Sequence, residues 1–259
     1  MYFESHAHYD DGRFDKDRHE VLMACKKAGV SYIVNAGADM DSSRAGIELS
    51  KKYDFVYAAV GVHPHDADSL DDNTFLELKD LSSVNKVVAI GEIGLDFHYD
   101  NSPRDIQRKW FLRQLELATE VKLPVIIHSR EASQETFDII KQADLDRRGQ
   151  KGAGVIHCYS GSAQMALEYV KLGYFLGVGG VITFPNAKNI VEVVNEVPLE
   201  SILIETDCPY LSPAPNRGKR NDSQNLKYIC EKISEIKQVS VETVCEMTMQ
   251  NGLKFFDIK

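Results

Sequence analysis

The sequence predicts an α/β protein with a (β/α)8 barrel fold in a single domain spanning residues 1–259. Short apolar segments alternate with amphipathic segments eight times along the chain, and strict alternation of this kind is typical of parallel barrels. The length of 259 residues is also what such a barrel needs. A doubly wound open sheet is the alternative, but it requires a glycine-rich turn where this sequence has His6-Ala7-His8.

The first half of the chain supplies four predicted strands and four helices. Apolar residues from Val21 to Ala28 recur at spacings of three and four, and Gly29 ends this helix. Ser42 or Ser43 is predicted to cap the second helix. The predicted strands are 2–5, 30–35, 55–60 and 86–90, the last running into a glycine-punctuated loop at 91–96. The predicted helices are 15–28, 42–53, 71–81 and 103–121.

The second half repeats the same alternation and closes with two helices. Its apolar strands are short enough to be buried on both faces, as the strands of a parallel sheet are. They are predicted at 124–127, 154–156, 174–178 and 202–205. Helices are predicted at 131–143, 162–172, 189–194, 223–237 and 240–255.

The composition restricts the class of partner and the cellular compartment. A net charge of −9 argues against a broad surface that coats nucleic acid, although bound cations would change the sign locally. Five dispersed cysteines without a C-x-x-C pair are typical of reduced thiols, so we expect a cytoplasmic protein. The chain shows no secretory signal and no apolar run of the length that crosses a membrane. We expect a monomer.

Polar side chains collect where the predicted strands end. His6 and His8 are two residues apart on an extended segment, so both imidazoles point to the same side and indicate a metal site. A bare pair of this kind is weak by itself. Further candidates follow other strands, and in a barrel all these strand ends meet at one mouth. They are His63, Glu92, His128, His157 and Asp207.

The candidate donor set is larger than one ion needs. A catalytic zinc takes about three protein ligands, whereas two ions about 3.5–4 Å apart share a bridging carboxylate. We assign His6, His8 and Asp207 to one ion and His128 and His157 to the other. Glu92 is assigned to the bridge between them. Imidazole and carboxylate ligands are compatible with Mg²⁺, Mn²⁺ or Zn²⁺. The predicted metal ligands are His6, His8, Glu92, His128, His157 and Asp207.

Seven segments carry recognisable motifs in order along the chain, at 5–8, 61–65, 91–96, 128–130, 157–161, 205–211 and 217–221. Together they resemble the TatD family of metal-dependent deoxyribonucleases. The resemblance implies a TIM barrel, two divalent metals on the six residues above, and hydrolysis of DNA phosphodiesters, with 3′→5′ exonuclease action among members. Two positions depart from the family pattern: Glu4 stands where Asp is frequent, and Asp222-Ser223 follow Asn221 where Pro is usual.

With this resemblance we expect a hydroxide held between two metals to attack phosphorus in DNA, acting on short or single-stranded ends. The predicted catalytic residues are Glu92, Asp207, which accepts or holds the proton of the water, and His63, which binds a non-bridging oxygen. Glu205 is expected either to support a ligand or to fill the barrel. Arginines bind phosphate bidentately, and the predicted substrate contacts are His63, Arg130, Arg217 and Arg220, with Lys219 beside them.

Two other functions remain open at this stage. The same centre can attack an acyl carbon, so an ester such as an aminoacylated tRNA is a possible substrate. A non-catalytic metal-binding protein is the third alternative, and the complete ligand set argues against it. A barrel supports many chemistries, so the fold does not decide among these functions.

Overall fold

The structure, a computed structural model, describes residues 1–146 and 154–259. Eight strands form one sheet in chain order, and each consecutive pair is parallel. The predicted TIM barrel is confirmed. The strands are β1 Tyr2–Ala7, β2 Val30–Ala36, β3 Val56–Val60, β4 Val87–Asp96, β5 Val125–Arg130, β6 Gly154–Ile156, β7 Phe175–Val178 and β8 Ile202–Ile204.

Helices alternate with these strands as the sequence predicts. Within the part of the chain that the structure describes, no helix is both long enough and apolar enough to cross a membrane. The helices are α1 Arg18–Lys27, α2 Met40–Lys52, α3 Asp72–Ser82, α4 Arg104–Val121, α5 Ser133–Asp146, α6 Ala163–Lys171, α7 Lys188–Glu196, α8 Leu226–Lys237 and α9 Val241–Phe255.

The first and last strands meet at their carboxyl ends. Ala7 forms a parallel bridge with Cys208, and the His8 amide donates to the Cys208 carbonyl oxygen at 2.8 Å. One step earlier, the Asp207 amide donates to the His6 carbonyl oxygen at 3.0 Å. This contact rules out the open-sheet alternative, and it brings the first two predicted ligands beside the last one.

Apolar side chains fill the opposite end of the barrel. Side chains alternate along a strand, so Ile33 and Val34 belong to different hydrophobic clusters. Ile33 packs with residues of the surrounding helices. The cluster around Val34 includes Phe3, whose ring stacks on Phe256 after α9 at a centroid distance of 5.6 Å. The amino-terminal end is thus closed by hydrophobic packing, which leaves the carboxyl end for polar groups.

Strand β4 corrects one sequence prediction. Residues 91–96, predicted as a loop, continue the strand to Asp96, and every residue of β4 is buried. A Cβ atom on Gly91 would lie 2.6 Å from the Ile126 Cβ, and one on Gly94 would lie 2.0 Å from the His128 carbonyl oxygen. These glycines therefore allow β4 to pack closely on β5, and they do not form a turn.

The start of α2 also differs from the prediction. Asp39 caps this helix, because its carboxylate accepts from the Ser42 amide at 2.7 Å while the Ser42 hydroxyl accepts from the Asp39 amide at 2.8 Å. This reciprocal pair is a capping box. Ser43, the other predicted cap, is buried and donates to the Gly61 carbonyl oxygen at 3.1 Å. In α1 the prediction was three residues early, because residues 12–14 form a separate 3₁₀ turn and the helix begins at Arg18.

Candidate metal centre

The predicted ligands converge at the carboxyl end of the barrel. They surround a cavity of about 450 Å³ whose wall includes His8, Glu92, His128, His157 and Asp207. His6 lies beneath the cavity floor and is fully buried. All six come from different positions in the sequence, and the closure of the barrel places them within reach of one another.

One group of four donor atoms gathers around His6. Its Nε2 lies 3.1 Å from His8 Nε2 and 3.3 Å from Glu92 Oε2, and His8 Nε2 lies 3.4 Å from Asp207 Oδ1. Tetrahedral coordination with bonds of about 2.0–2.2 Å places ligand atoms about 3.3–3.6 Å apart. The atoms of His6, His8 and Glu92 lie close enough together to hold a single metal ion, and Asp207 adjoins this group through His8.

A second group gathers around the other oxygen of the same carboxylate. Glu92 Oε1 lies 2.9 Å from His128 Nδ1, 3.3 Å from His157 Nε2 and 3.6 Å from His63 Nε2. Its two oxygens thus face different sets of imidazole nitrogens, and the two sets adjoin because the His157 ring stacks on the His6 ring at a centroid distance of 3.8 Å. A carboxylate with this placement could bridge two ions.

Contacts on the far side of the imidazole rings bear on which nitrogen is free to bind a metal. His8 Nδ1 donates to the Ala36 carbonyl oxygen at 2.9 Å, which leaves the Nε2 lone pair facing Glu92 and Asp207. His157 Nδ1 faces the buried Glu205 Oε1 at 3.2 Å. A ring nitrogen that donates to a carbonyl or carboxylate fixes the tautomer in which the other nitrogen is a ligand.

His128 contacts a carboxylate oxygen through each of its two ring nitrogens. Its Nε2 lies 3.2 Å from Asp96 Oδ2, and its Nδ1 faces Glu92. His65 Nε2 contacts the same Asp96 oxygen at 2.8 Å. Sequence reasoning assigned no role to Asp96 and missed it as a partner of His128. The spacing of four residues from Glu92 would have placed both acids on one face, had residues 91–96 been predicted as a strand.

His63 has the opposite arrangement. Its Nδ1 accepts from the His65 backbone amide at 3.1 Å, so in the neutral ring the proton belongs to Nε2. A protonated Nε2 is a hydrogen-bond donor and cannot coordinate a metal. Although His63 lies close enough to Glu92 to be a third ligand of the second group, its hydrogen bond favours a contact with substrate.

The pKa values in the metal-free centre reflect its dense charge. Burial alone disfavours charged imidazole, but the Asp207 carboxylate raises the pKa of His8 to about 9. The carboxylates of Glu92 and Glu205 likewise outweigh burial and raise the pKa of His157 to about 10. Burial raises the pKa of Glu92, yet the neighbouring histidines, His157 foremost, hold it well below its usual range.

Glu205 and Glu4 support the centre from below. Glu205 is buried, accepts from the Cys158 amide and faces His157, a placement that favours support of that ring over mere filling of the barrel. Glu4 accepts from the Thr206 amide at 2.8 Å and from the Thr206 hydroxyl at 2.6 Å, which ties β1 to the segment before Asp207. Burial raises the pKa of Glu4 to about 8.

The predicted substrate contacts occupy different places. Arg130 lines the cavity. Arg220 forms an ion pair with Asp17 at 2.6 Å, and Arg217 lies over the Phe184 ring at 3.6 Å. Neither of these two arginines lines the metal-centre cavity in the part of the chain that the structure describes. A substrate contact from Arg217 or Arg220 therefore stays a prediction that concerns the surface outside the cavity.

The rim of the cavity is acidic. Four aspartates line it in addition to the ligands, and the presence of Asp39 contributes, after burial, to a raised pKa of Asp66. A long polyanion would meet repulsion at this rim unless bound cations offset it. The four are Asp10, Asp11, Asp39 and Asp66.

Comparison with known proteins agrees with the geometry. Residues 3–257 match the family model described as TatD related DNase. The chain is 43% identical over 258 residues to the "Uncharacterized metal-dependent hydrolase YabD" of Bacillus subtilis (strain 168), covering 100% of both chains. It is 34% identical over 258 residues to a metal-dependent hydrolase of Methanocaldococcus jannaschii, covering 98% of this chain and 96% of that one.

A solved structure shares the fold throughout. The crystal structure of YjjV, a TatD homologue from Escherichia coli K12, superimposes with a TM-score of 0.92 at 31% identity, covering 100% of this chain and 98% of the other. Fold, donor set and relatives define a metal-dependent hydrolase built on a TIM barrel. The chain belongs to the TatD family.

Proposed function

We propose that this protein hydrolyses phosphodiester bonds of DNA with two divalent metal ions, acting as a 3′→5′ exonuclease on short or single-stranded ends. The observation that carries the proposal is the placement of Glu92, whose two oxygens face two adjoining histidine groups. The family description, TatD related DNase, supports the choice of DNA as the substrate.

The residues present fit such a pair of ions. His6, His8 and Asp207 would hold one ion, His128 and His157 the other, and Glu92 both. When bound, Mg²⁺, Mn²⁺ or Zn²⁺ ions would lower the pKa of a water molecule towards neutrality and neutralise charge on the phosphoryl oxygens.

The side chains around this pair supply the remaining functions. Asp207 has 16% of its side chain exposed, and in the metal-free centre a hydrogen bond from protonated His8 and the neighbouring imidazoles together outweigh burial and lower its pKa. Its carboxylate would hold the proton of the attacking water. His63 donates from Nε2 to a non-bridging phosphoryl oxygen. Arg130 binds the phosphate from the wall of the cavity.

The acidic rim supports a substrate that enters by its end. A duplex lying across the mouth would place many phosphates against Asp10, Asp11, Asp39 and Asp66, whereas a single-stranded end brings one phosphate to the cations at the centre. We place the active protein in the cytoplasm as a monomer. Its five free cysteines support a reducing compartment.

The same acidic rim favours one second candidate. An aminoacyl ester carries an ammonium group, which aspartates at the mouth would attract, and the same centre would stabilise the tetrahedral oxyanion of acyl transfer. An ester at the end of an aminoacylated tRNA presents this group together with a single-stranded end.

The deciding experiment uses protein stripped of metal and then supplied with Mg²⁺, Mn²⁺ or Zn²⁺. A 3′-labelled single-stranded oligonucleotide is digested in parallel with a charged tRNA, and His6→Ala serves as the inactive control. Stepwise shortening that depends on added metal and is absent from the variant supports the exonuclease. If the DNA stays intact and the amino acid is released from the tRNA, the substrate is the ester and the exonuclease proposal is wrong.

A further inference from the structure

Two half-exposed tyrosines flank the metal centre. Tyr210 is 45% exposed, lines the cavity, and its ring lies 6.3 Å from that of His8. Tyr99 is 54% exposed, and its ring lies 5.3 Å from that of His65, which lines the same cavity. A single exposed aromatic residue is ordinary, but here one tyrosine lines the cavity and a second lies next to its wall, and the chemistry described above uses neither.

Tyr210 is held in place by an arginine and an aspartate. The Arg13 guanidinium lies 4.0 Å from the centre of the Tyr210 ring. Asp11 binds Arg13 with both oxygens at 3.0 and 2.9 Å, and accepts from the Tyr210 hydroxyl at 3.2 Å. The ring is thus immobilised before any ligand arrives, which lowers the entropy cost of stacking against it.

Tyr99 has a similar arrangement. The Arg130 guanidinium lies 4.7 Å from the centre of its ring, and the His98 ring meets it edge-on at 4.7 Å. His98 is itself anchored, because its Nδ1 lies 2.6 Å from Glu131 Oε1. Each tyrosine therefore combines an aromatic ring with a guanidinium that lies over the ring.

The two pairs belong to different metal groups. Tyr210 lies beside His8, a member of the group around Glu92 Oε2. Tyr99 lies beside His65, which shares the Asp96 carboxylate with His128 of the other group. A phosphodiester bound over Glu92 has a nucleoside on each side, so each nucleoside would extend towards one tyrosine.

We infer that the Tyr99–Arg130 and Tyr210–Arg13 pairs are two nucleobase subsites, one on each side of the bond that is cleaved. The minimal substrate would then be a dinucleotide unit with both bases present. Aromatic rings and guanidinium groups stack on any base without reading its sequence. Uncharged stacking also supplies affinity that the acidic rim does not allow phosphates to supply. The inference rests on the proposed function for the position of the phosphate.

The test measures binding without turnover. Metal-loaded protein is titrated in a calorimeter with dithymidine joined by a non-hydrolysable phosphonate, and with two analogues that lack either the 5′ or the 3′ base. We expect each missing base to weaken binding about tenfold, the usual size of one stacking contact. Tyr99→Ala and Tyr210→Ala should each weaken binding of the full dinucleotide by a similar factor. In each variant, removal of one of the two bases should no longer change the affinity, and that base should differ between the two variants.

Matched variants separate stacking from folding. Tyr99→Phe and Tyr210→Phe keep the ring and should bind within about twofold of the unmodified protein, because stacking needs only the aromatic face. Tyr228 is the control, since Lys227 lies 4.8 Å from its ring and it lines a separate depression on the surface. Tyr228→Ala should leave affinity unchanged.

Three results would overturn the inference: equal binding of the full dinucleotide and both abasic analogues, unchanged affinity in both alanine variants, or sensitivity of both variants to the same base. Cleavage of the natural dinucleotide is measured separately. Base-dependent binding without cleavage would refute the proposed hydrolysis and leave the subsites standing. Cleavage with the same KM in all variants would refute the subsites alone.

Discussion

Glu92 Oε1 lies 2.9 Å from His128 Nδ1, and the second oxygen of the same carboxylate lies 3.3 Å from a nitrogen of His6. One buried side chain thus contacts both histidine groups of the centre. Removing it should disturb both groups, whereas removing any single histidine should disturb one.

The Glu92→Ala variant tests the bridge directly. We expect the bound metal to fall below two ions per chain and hydrolysis to fall about a thousandfold or more, because the proposed centre would lose the ligand that bridges its two ions. Metal content is measured by mass spectrometry after dialysis, and folding by circular dichroism. Full activity with normal metal content would contradict the assignment.

The hydrogen bond accepted by His63 predicts a different result for two neighbouring histidines. His157→Ala should lose metal, since the Nε2 atom of His157 is free to coordinate. His63→Ala should keep its metal and lose about 10²-fold in kcat, the usual cost of removing one donor to the reacting oxygens. Metal content and kcat are compared for both variants. Metal loss in His63→Ala would make His63 a ligand.

The arginines should differ with substrate length. Arg130 lines the cavity, so Arg130→Ala should raise KM about tenfold on every substrate, the loss expected from one charge-assisted phosphate contact. Arg220 is bound by Asp17 outside the cavity, so Arg220→Ala should match the unmodified protein on a dinucleotide and bind a longer strand less tightly. Steady-state kinetics on a series of lengths checks this. An effect of Arg220→Ala on the dinucleotide would contradict the placement.

Metal binding should release protons. In the metal-free centre the pKa of His8 is raised to about 9 and that of His157 to about 10. Both rings are therefore positively charged at pH 7.5, and each must lose its second proton before a nitrogen can coordinate a metal. Metal affinity should therefore rise with pH, by about tenfold per unit for each proton released. Calorimetry in buffers of different ionisation enthalpy measures the number of protons released when the metal binds. A heat independent of buffer would contradict the prediction, and His19→Ala on α1 should behave as the unmodified protein.

The close packing of β4 on β5 predicts a stability effect. A side chain at Gly94 would collide with the His128 carbonyl oxygen, so Gly94→Ala should destabilise the fold by about 3 kcal/mol and lower Tm by about 6–12 °C. Gly179→Ala is the control, because its Cβ would meet the Glu205 carbonyl oxygen at an ordinary 3.5 Å. Equal Tm values for the two variants, by calorimetry, would show that β4 has room to shift.

Local chemistry explains why some features were predictable and others were not. The alternation of strands and helices depends on hydrophobic patterns within single segments, so the barrel could be predicted without the structure. The prediction of a loop at 91–96 was wrong because a glycine is found in turns and also where two strands approach closely. The prediction of the residue that caps α2 was wrong because Asp39 and Ser42 are both good capping residues. Only the backbone conformation decides between them.

The sequence by itself determined the barrel and the set of polar residues at its mouth, because both follow from the order of residues along each strand. The tertiary structure alone decided that Glu92 faces both histidine groups, that His63 accepts where His8 donates, and that Arg220 pairs with Asp17 outside the cavity. These relationships join atoms from distant segments, and strand register and side-chain rotation fix them only after the barrel has closed.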